Sequence, residues 1–293
     1  VKPIAGTTSP WLKPGQSVVL HENVDHGPFP LAQLKSFSLT PAMASVHTQL
    51  VNNDVTKALF EMAKGESPFV AETRIGYAGD TRSDINLRAL NFEKEGEKVA
   101  FGGGNFRVSA DKEGNAVAVS GEAQSGLVDT VNEFGQKVQL SFNNFKTDGS
   151  SEISAFNERT GSQKMSLDKL VISIENKEMA ILEGMELTAK SDVADDKKNI
   201  NSQVDYTLNS LKVQGQDLGN GKLTLKVGQV DGNAWHQATQ QYDAQIRALM
   251  AQPDIAQNPE LYQQKATEAF LSVVPLLLKG EPVITVAPLR DRK

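Results

Sequence analysis

The chain has 293 residues, 39% hydrophobic and 23% charged, enough to bury a substantial core as one large β domain or two smaller domains. Its net charge of −6, with acids and bases interleaved, argues against a nucleic-acid binder and supplies no polybasic patch for anionic headgroups. Cysteine is absent, which removes thiol nucleophiles, thiolate zinc sites and disulfides together.

Residues 1–30 are punctuated by Pro and Gly, with one extended run at Ser17 to His21. The first residues, Val1-Lys2-Pro3-Ile4, carry neither an initiator Met nor a signal pattern, and the tail stops just after an apolar run. The chain therefore reads as a fragment of a longer protein. Asn52-Asn53-Asp54 predicts a cap for a short helix over Val55 to Lys64, closed by Gly65. Strands and turns follow: Val70 to Tyr77, Ile85 to Phe92, Val99 to Phe101, Phe106 to Ala110 and Ala116 to Ser120. Ser125-Gly126 predicts the start of a second short helix, Leu127 to Phe134, stopped by Gly135. Strands resume at Lys137 to Phe145, Met165 to Glu175, Gly184 to Lys190, Gln203 to Val213 and Gly221 to Val230. Thr147 to Ser151 and Asp192 to Asn199 read as solvated turns between them.

At Asp231-Gly232-Asn233 the character changes. Ala234 to Gln252 reads as a helix with Trp235, Tyr242, Ile246 and Leu249 near one face. After a break at Pro253-Asp254, Asn258-Pro259 starts a second helix running to about Lys279, with Pro275 expected to kink or loosen it. Val283 to Val286 returns as a strand. The expected organisation is a β-rich region over 1–231 with two short helices. A helical hairpin and returning strand over 232–293 belong to the same domain or pack on it.

Four segments repeat a device. Ile85 to Phe92, Leu140 to Thr147, Met165 to Ile172 and Tyr206 to Val213 alternate apolar and polar residues, then insert two mostly polar residues between apolar ones. A one-residue slip would send every later side chain to the other face. A β-bulge cancels the slip and bends the strand. The pairs Arg88-Ala89, Asn143-Asn144, Asp168-Lys169 and Asn209-Ser210 are the predicted bulges. They keep Leu87 with Leu90, Phe142 with Phe145, Leu167 with Leu170 and Leu208 with Leu211 on one face. Full burial of each such side chain contributes about 1.5–3 kcal/mol, more than the about 0.5–1.5 kcal/mol of a lost ladder hydrogen bond. Leu34, Phe37 and Leu39 form a degenerate fifth copy.

Candidate chemistry is sparse. His21-Glu22-Asn23-Val24-Asp25-His26 has His at i and i+5, and an extended chain puts only one imidazole and one carboxylate on a side, so a structural role is preferred to a metal site. Gly102-Gly103-Gly104-Asn105 lacks the P-loop ending and precedes a strand, so it reads as a glycine bend. Asp192, Asp195 and Asp196, and Asp217 to Gly221, do not match a calcium loop. There is no G-x-S-x-G elbow.

His26-Gly27-Pro28-Phe29-Pro30, Ser67-Pro68-Phe69 and Leu278 to Ile284, with the β repeats between them, resemble the YdgA-like family of uncharacterised proteobacterial envelope proteins. The resemblance covers essentially the whole chain and transfers no catalytic residue. It implies a periplasmic β-rich protein tethered to the inner membrane by a segment outside this chain, self-association being one possibility. The β ladder has a looser likeness, in pattern only, to AsmA-like envelope proteins with hydrophobic grooves associated with lipid transport.

The expected fold is thus mainly β with a helical hairpin: a large curved, mostly antiparallel sheet with bulged strands and helices packed on it. The expected function is non-enzymatic, without cofactor or metal. The sheet would bind lipid or another hydrophobic ligand, or act as a homo-oligomeric or partner-binding scaffold. The candidate groove or interface comprises Leu87, Leu90, Phe142, Phe145, Leu167, Leu170, Leu208 and Leu211 on the sheet, with Phe270, Val274 and Leu277 on the apolar helix. That helix either packs as core or lines the groove, docks a partner or meets the membrane surface.

Overall fold

The computed structural model describes residues 17–27, 42–94, 96–132, 134–252, 255, 258–278 and 281–289. Pro28 to Pro30, the degenerate repeat at Leu34, Phe37 and Leu39, and the Pro253-Asp254 break lie outside them. The described residues form one open, curved sheet of 15 strands in which every ladder is antiparallel. Its strands are β1 (Leu20–His26), β2 (Ala44–Leu50), β3 (Phe69–Ile75), β4 (Thr81–Leu87), β5 (Leu90–Lys94), β6 (Glu97–Phe101) and β7 (Gly104–Ala110). Then come β8 (Ala116–Val131), β9 (Lys137–Ile153), β10 (Arg159–Ile174), β11 (Lys177–Val193), β12 (Asn199–Val213), β13 (Gln216–Asp217), β14 (Gly221–Asp231) and β15 (Val283–Leu289). Their spatial order follows the chain, as a meander should, except that β7 returns beside β4 and β14 beside β12, leaving β5, β6 and β13 off that path.

Three helices are described: α1 (Lys57–Met62), α2 (Gly232–Met250) and α3 (Pro259–Leu278). Asn53 Oδ1 accepts from the Val55 and Thr56 amides ahead of α1. Asp231 caps α2 by accepting from the Ala234 amide. Gly232 follows closely because a Cβ there would run into the Phe156 ring. The hairpin of α2 and α3 is pinned by Gln245 donating to Ser272, and α2 is tied to the sheet by His236 and Glu158 at 2.6 Å. α3 continues through Pro275 to Leu278.

Burial concentrates in two places. Ile200, Val230, Ala238, Leu249, Ala269 and Val273 are buried on β12, β14 and the helical hairpin. Ala44, Phe60, Ala63 and Ala71 are buried around α1 and the first strands. Between them Ala123 is the one buried hydrophobic residue described on β8 to β11. The middle of the sheet is a single layer, held by ladder hydrogen bonds and cross-strand pairs more than by a core.

Two expectations are corrected. Leu127 to Val131, predicted as the start of a helix, lies in β8, because Val128, Thr130 and Val131 are β-branched and the segment pairs with both β6 and β9. Gly135, at φ 74°, makes a hairpin turn and not a helix stop. Thr147 to Ser151, predicted as a turn, runs inside β9, where paired strands flank it on both sides. The Gln163 side chain fills the space a Cβ on Gly149 would need.

The parity device takes a different form from the expected bulge. A bulge sets two residues against one and shifts the register. Here the register is unchanged across the irregularity: Phe145 faces Leu167 and Asn143 faces Lys169, with Asn144 and Asp168 unpaired between them. The same gap falls at Gln124 and Asn144, at Asp168 and Gly184, and at Gly184 and Asn209. On the earlier strands Leu87 faces Gly104 and Leu90 faces Phe101, leaving Arg88-Ala89 against Gly102-Gly103 and splitting the predicted strand Ile85 to Phe92 into β4 and β5. A crease therefore crosses seven chain segments at one level. Positive φ recurs on alternate segments, at Gly103 (89°), Asn144 (53°) and Gly184 (62°). Each segment contributes one irregularity, so register is kept while side-chain parity changes. Exposure follows: Leu87 and Leu90 are half-buried around exposed Arg88 and Ala89, and Phe142 and Phe145 around exposed Asn143 and Asn144.

Candidate functional site

On the apolar face an open groove of 590 Å³ runs over β9, β10, β11, β12 and β14. Phe145, Met165, Leu167, Met185, Leu187, Tyr206, Leu208 and Leu223 line it as successive alternate positions of paired strands. Ser166, Glu186, Thr207, Asn220, Gly221 and Lys222 complete the lining. Leu182 also lines it, three residues from Met185. Regular pleating would set those two on opposite faces; Gly184 at φ 62° brings them together. No described helix contributes to the lining.

The opposite face is polar and self-compensated. Arg107 pairs with Asp84 at 2.5 Å, Lys164 with Glu186 at 2.8 Å and Lys169 with Glu183 at 3.5 Å. A depression of 970 Å³ on β3 to β11 is lined by such residues, among them Glu122, Lys146 and Asp148. Asp205, one residue before Tyr206, points to this face. Hydrogen bonds donated by Thr224 and then Gln203 hold its carboxyl below the ordinary carboxylate range, with Lys222 and Lys226 adding to the effect.

Of the residues singled out from sequence, Phe145, Leu167 and Leu208 line the groove. Phe142, Leu170 and Leu211 form the parallel row beyond the crease, the Phe142 ring covering Gly126. Leu87 and Leu90 sit half-buried at the far end of the sheet, outside the groove. Phe270, Val274 and Leu277 are on α3 and do not reach it; Phe270 is 54% exposed. Met165 and Tyr206 open two of the repeats and share the alternation of Leu167 and Leu208, a signal that was present. Leu182, Met185 and Leu187 flank Glu183-Gly184, where a glycine takes the place of half the polar pair on β11.

His21 to Asp25 lie on β1 as an extended strand, with the His21 ring bonded to Asn23. Among the described residues no group of three or more His, Asp or Glu side chains converges as metal ligands. No described helix is long and apolar enough to cross a membrane.

The chain is similar along its length to two proteins of Escherichia coli (strain K12). It is 66% identical over 289 residues to Protein YdgA, which covers 99% of this chain and 58% of that protein. It is 27% identical over 274 residues to the uncharacterized protein YihF, covering 93% of this chain and 56% of that one. The chain thus spans somewhat more than half the length of these curated relatives. No solved structure matches it. The family model described as "Bacterial protein of unknown function (DUF945)" matches residues 3–292, and the chain belongs to that family.

Proposed function

We propose that this chain is the ligand-holding part of a non-enzymatic bacterial envelope protein that binds lipid or another hydrophobic ligand on its curved sheet. In the full-length protein it would stand in the periplasm, tethered to the inner membrane; this placement rests on the family resemblance. The observation that supports ligand binding is the 590 Å³ apolar groove, which no described helix covers. That volume lies within the about 300–1,000 Å³ of small-molecule sites. An apolar surface of this kind is costly to leave in water, at about 25 cal/mol per Å². Delipidated protein should take up a fluorescent fatty-acyl probe, and native preparations should carry lipid detectable by mass spectrometry. Absence of ligand in both measurements overturns the reading.

A second reading, a homo-oligomeric or partner-binding scaffold, is favoured by one observation. Edge strand β15 carries no charge, and Val283, Ile284 and Val286 on it are more than half exposed.

A further inference from the structure

We infer that the groove takes one unbranched alkyl chain, lying across the strands and not along them; this rests on the ligand-binding reading above. The shape carries the argument. On β10, β12 and β14 the lining is two alternate positions deep: Met165 with Leu167, Tyr206 with Leu208, and Gly221 with Leu223. Such a pair spans about 7 Å of strand. An α-helix with its side chains is about 10–12 Å across, wider than such a pair. In the other direction the lining crosses five neighbouring strands, β9 to β14. Four steps of about 4.8 Å make about 19 Å. Away from β11 the slot is nearly three times longer than wide, and its long axis is perpendicular to the strands.

The chemistry agrees with the shape. The floor is the interior of a sheet, where backbone N–H and C=O groups are spent in ladders on both sides of β10, β11 and β12. An added peptide strand would find no backbone partner there, so β-augmentation is excluded. An alkyl chain asks for no such partner. The crease widens the slot at β11, where Leu182 joins Met185 and Leu187.

The absence of native cysteine allows single labels. Thr147→Cys and Leu225→Cys, each carrying a bimane fluorophore, bracket the slot from β9 and β14 without removing its walls. Stearic acid bearing a nitroxide at carbon 5 or at carbon 16 should quench the two labels in opposite order. Across saturated fatty acids from eight to twenty carbons, affinity should rise about fourfold per methylene, the equivalent of about 0.8 kcal/mol, and level off where the chain reaches about 19 Å. A sterol or an amphipathic helical peptide should compete weakly. Binding without chain-length dependence, or equal quenching of both labels by both nitroxides, overturns this inference and leaves ligand binding standing. No binding of any acyl probe overturns the ligand-binding reading itself.

Discussion

At the scale of single residues, Asp205 shows how the polar face stabilises a sheet with little core. Thr224 and Gln203 both donate to its carboxylate, so the folded state prefers the ionised form and the pKa is lowered. A carboxyl whose folded pKa lies below its unfolded value contributes stability above the unfolded value, about 3.9. That contribution is lost as pH falls through the lowered folded value. Urea unfolding of the wild type and Asp205→Asn should therefore show the wild type's margin in full at pH 7, shrinking through the acid range. A margin that stays constant from pH 7 to pH 2 would show that the charge contributes nothing. Because Asp205 lies behind Tyr206 and Leu208, the substitution leaves the groove walls in place.

At the scale of the elements, the crease is the feature on which the apolar face depends. Gly184 carries the αL conformation on β11, and the side chain of Asn209 fills the space a Cβ would take. Gly184→Ala should cost about 1–3 kcal/mol in chemical denaturation, from left-handed backbone strain and the clash together. Asn209→Ala on that background should return part of the loss, a coupling of about 0.5 kcal/mol or more. Gly221→Ala, where open space surrounds the Cβ position and φ is not positive, should be neutral or slightly stabilising. Equal costs at Gly184 and Gly221 would remove the crease as a structural requirement. Three of the seven crease positions announce themselves in sequence as polar pairs within strands: Asn143-Asn144, Asp168-Lys169 and Asn209-Ser210. A fourth, Arg88-Ala89, marks a strand break instead. Gln124 and Gly184 were not legible. One sits between the predicted strand Ala116 to Ser120 and the predicted helix start at Ser125-Gly126, and the other replaces half of the polar pair with a glycine, which adopts αL cheaply. The same local bias hid the strand at Leu127 to Val131. A Ser-Gly start and a Gly stop look helical until the neighbouring ladders are known.

At the scale of the whole molecule, the sheet is open, and its two edges differ. β1 presents Glu22 and Asp25 between two histidines, the kind of charged edge that discourages pairing with another chain. β15 presents Val-Ile-Thr-Val-Ala-Pro-Leu, with no described strand on its outer side. Among the described residues of this edge, Pro288, which donates no hydrogen bond, is a blunting device. The scaffold reading predicts that two copies pair antiparallel through β15 about a two-fold axis perpendicular to the sheet. That axis would keep both apolar faces on the same side. Sedimentation should then show a concentration-dependent dimer. Ile284→Lys, which sets two like charges near the symmetric pair, should return it to monomer, whereas Val24→Lys on β1 should leave it unchanged. Seven-residue strands alone bury less than the about 1,200 Å² of a stable interface, so the predicted dimer is weak and forms only at high concentration. A wild-type monomer at every concentration ends the scaffold reading by this edge. The groove lies on the sheet's face and its lining contains no residue of β15, so that result would leave ligand binding untouched.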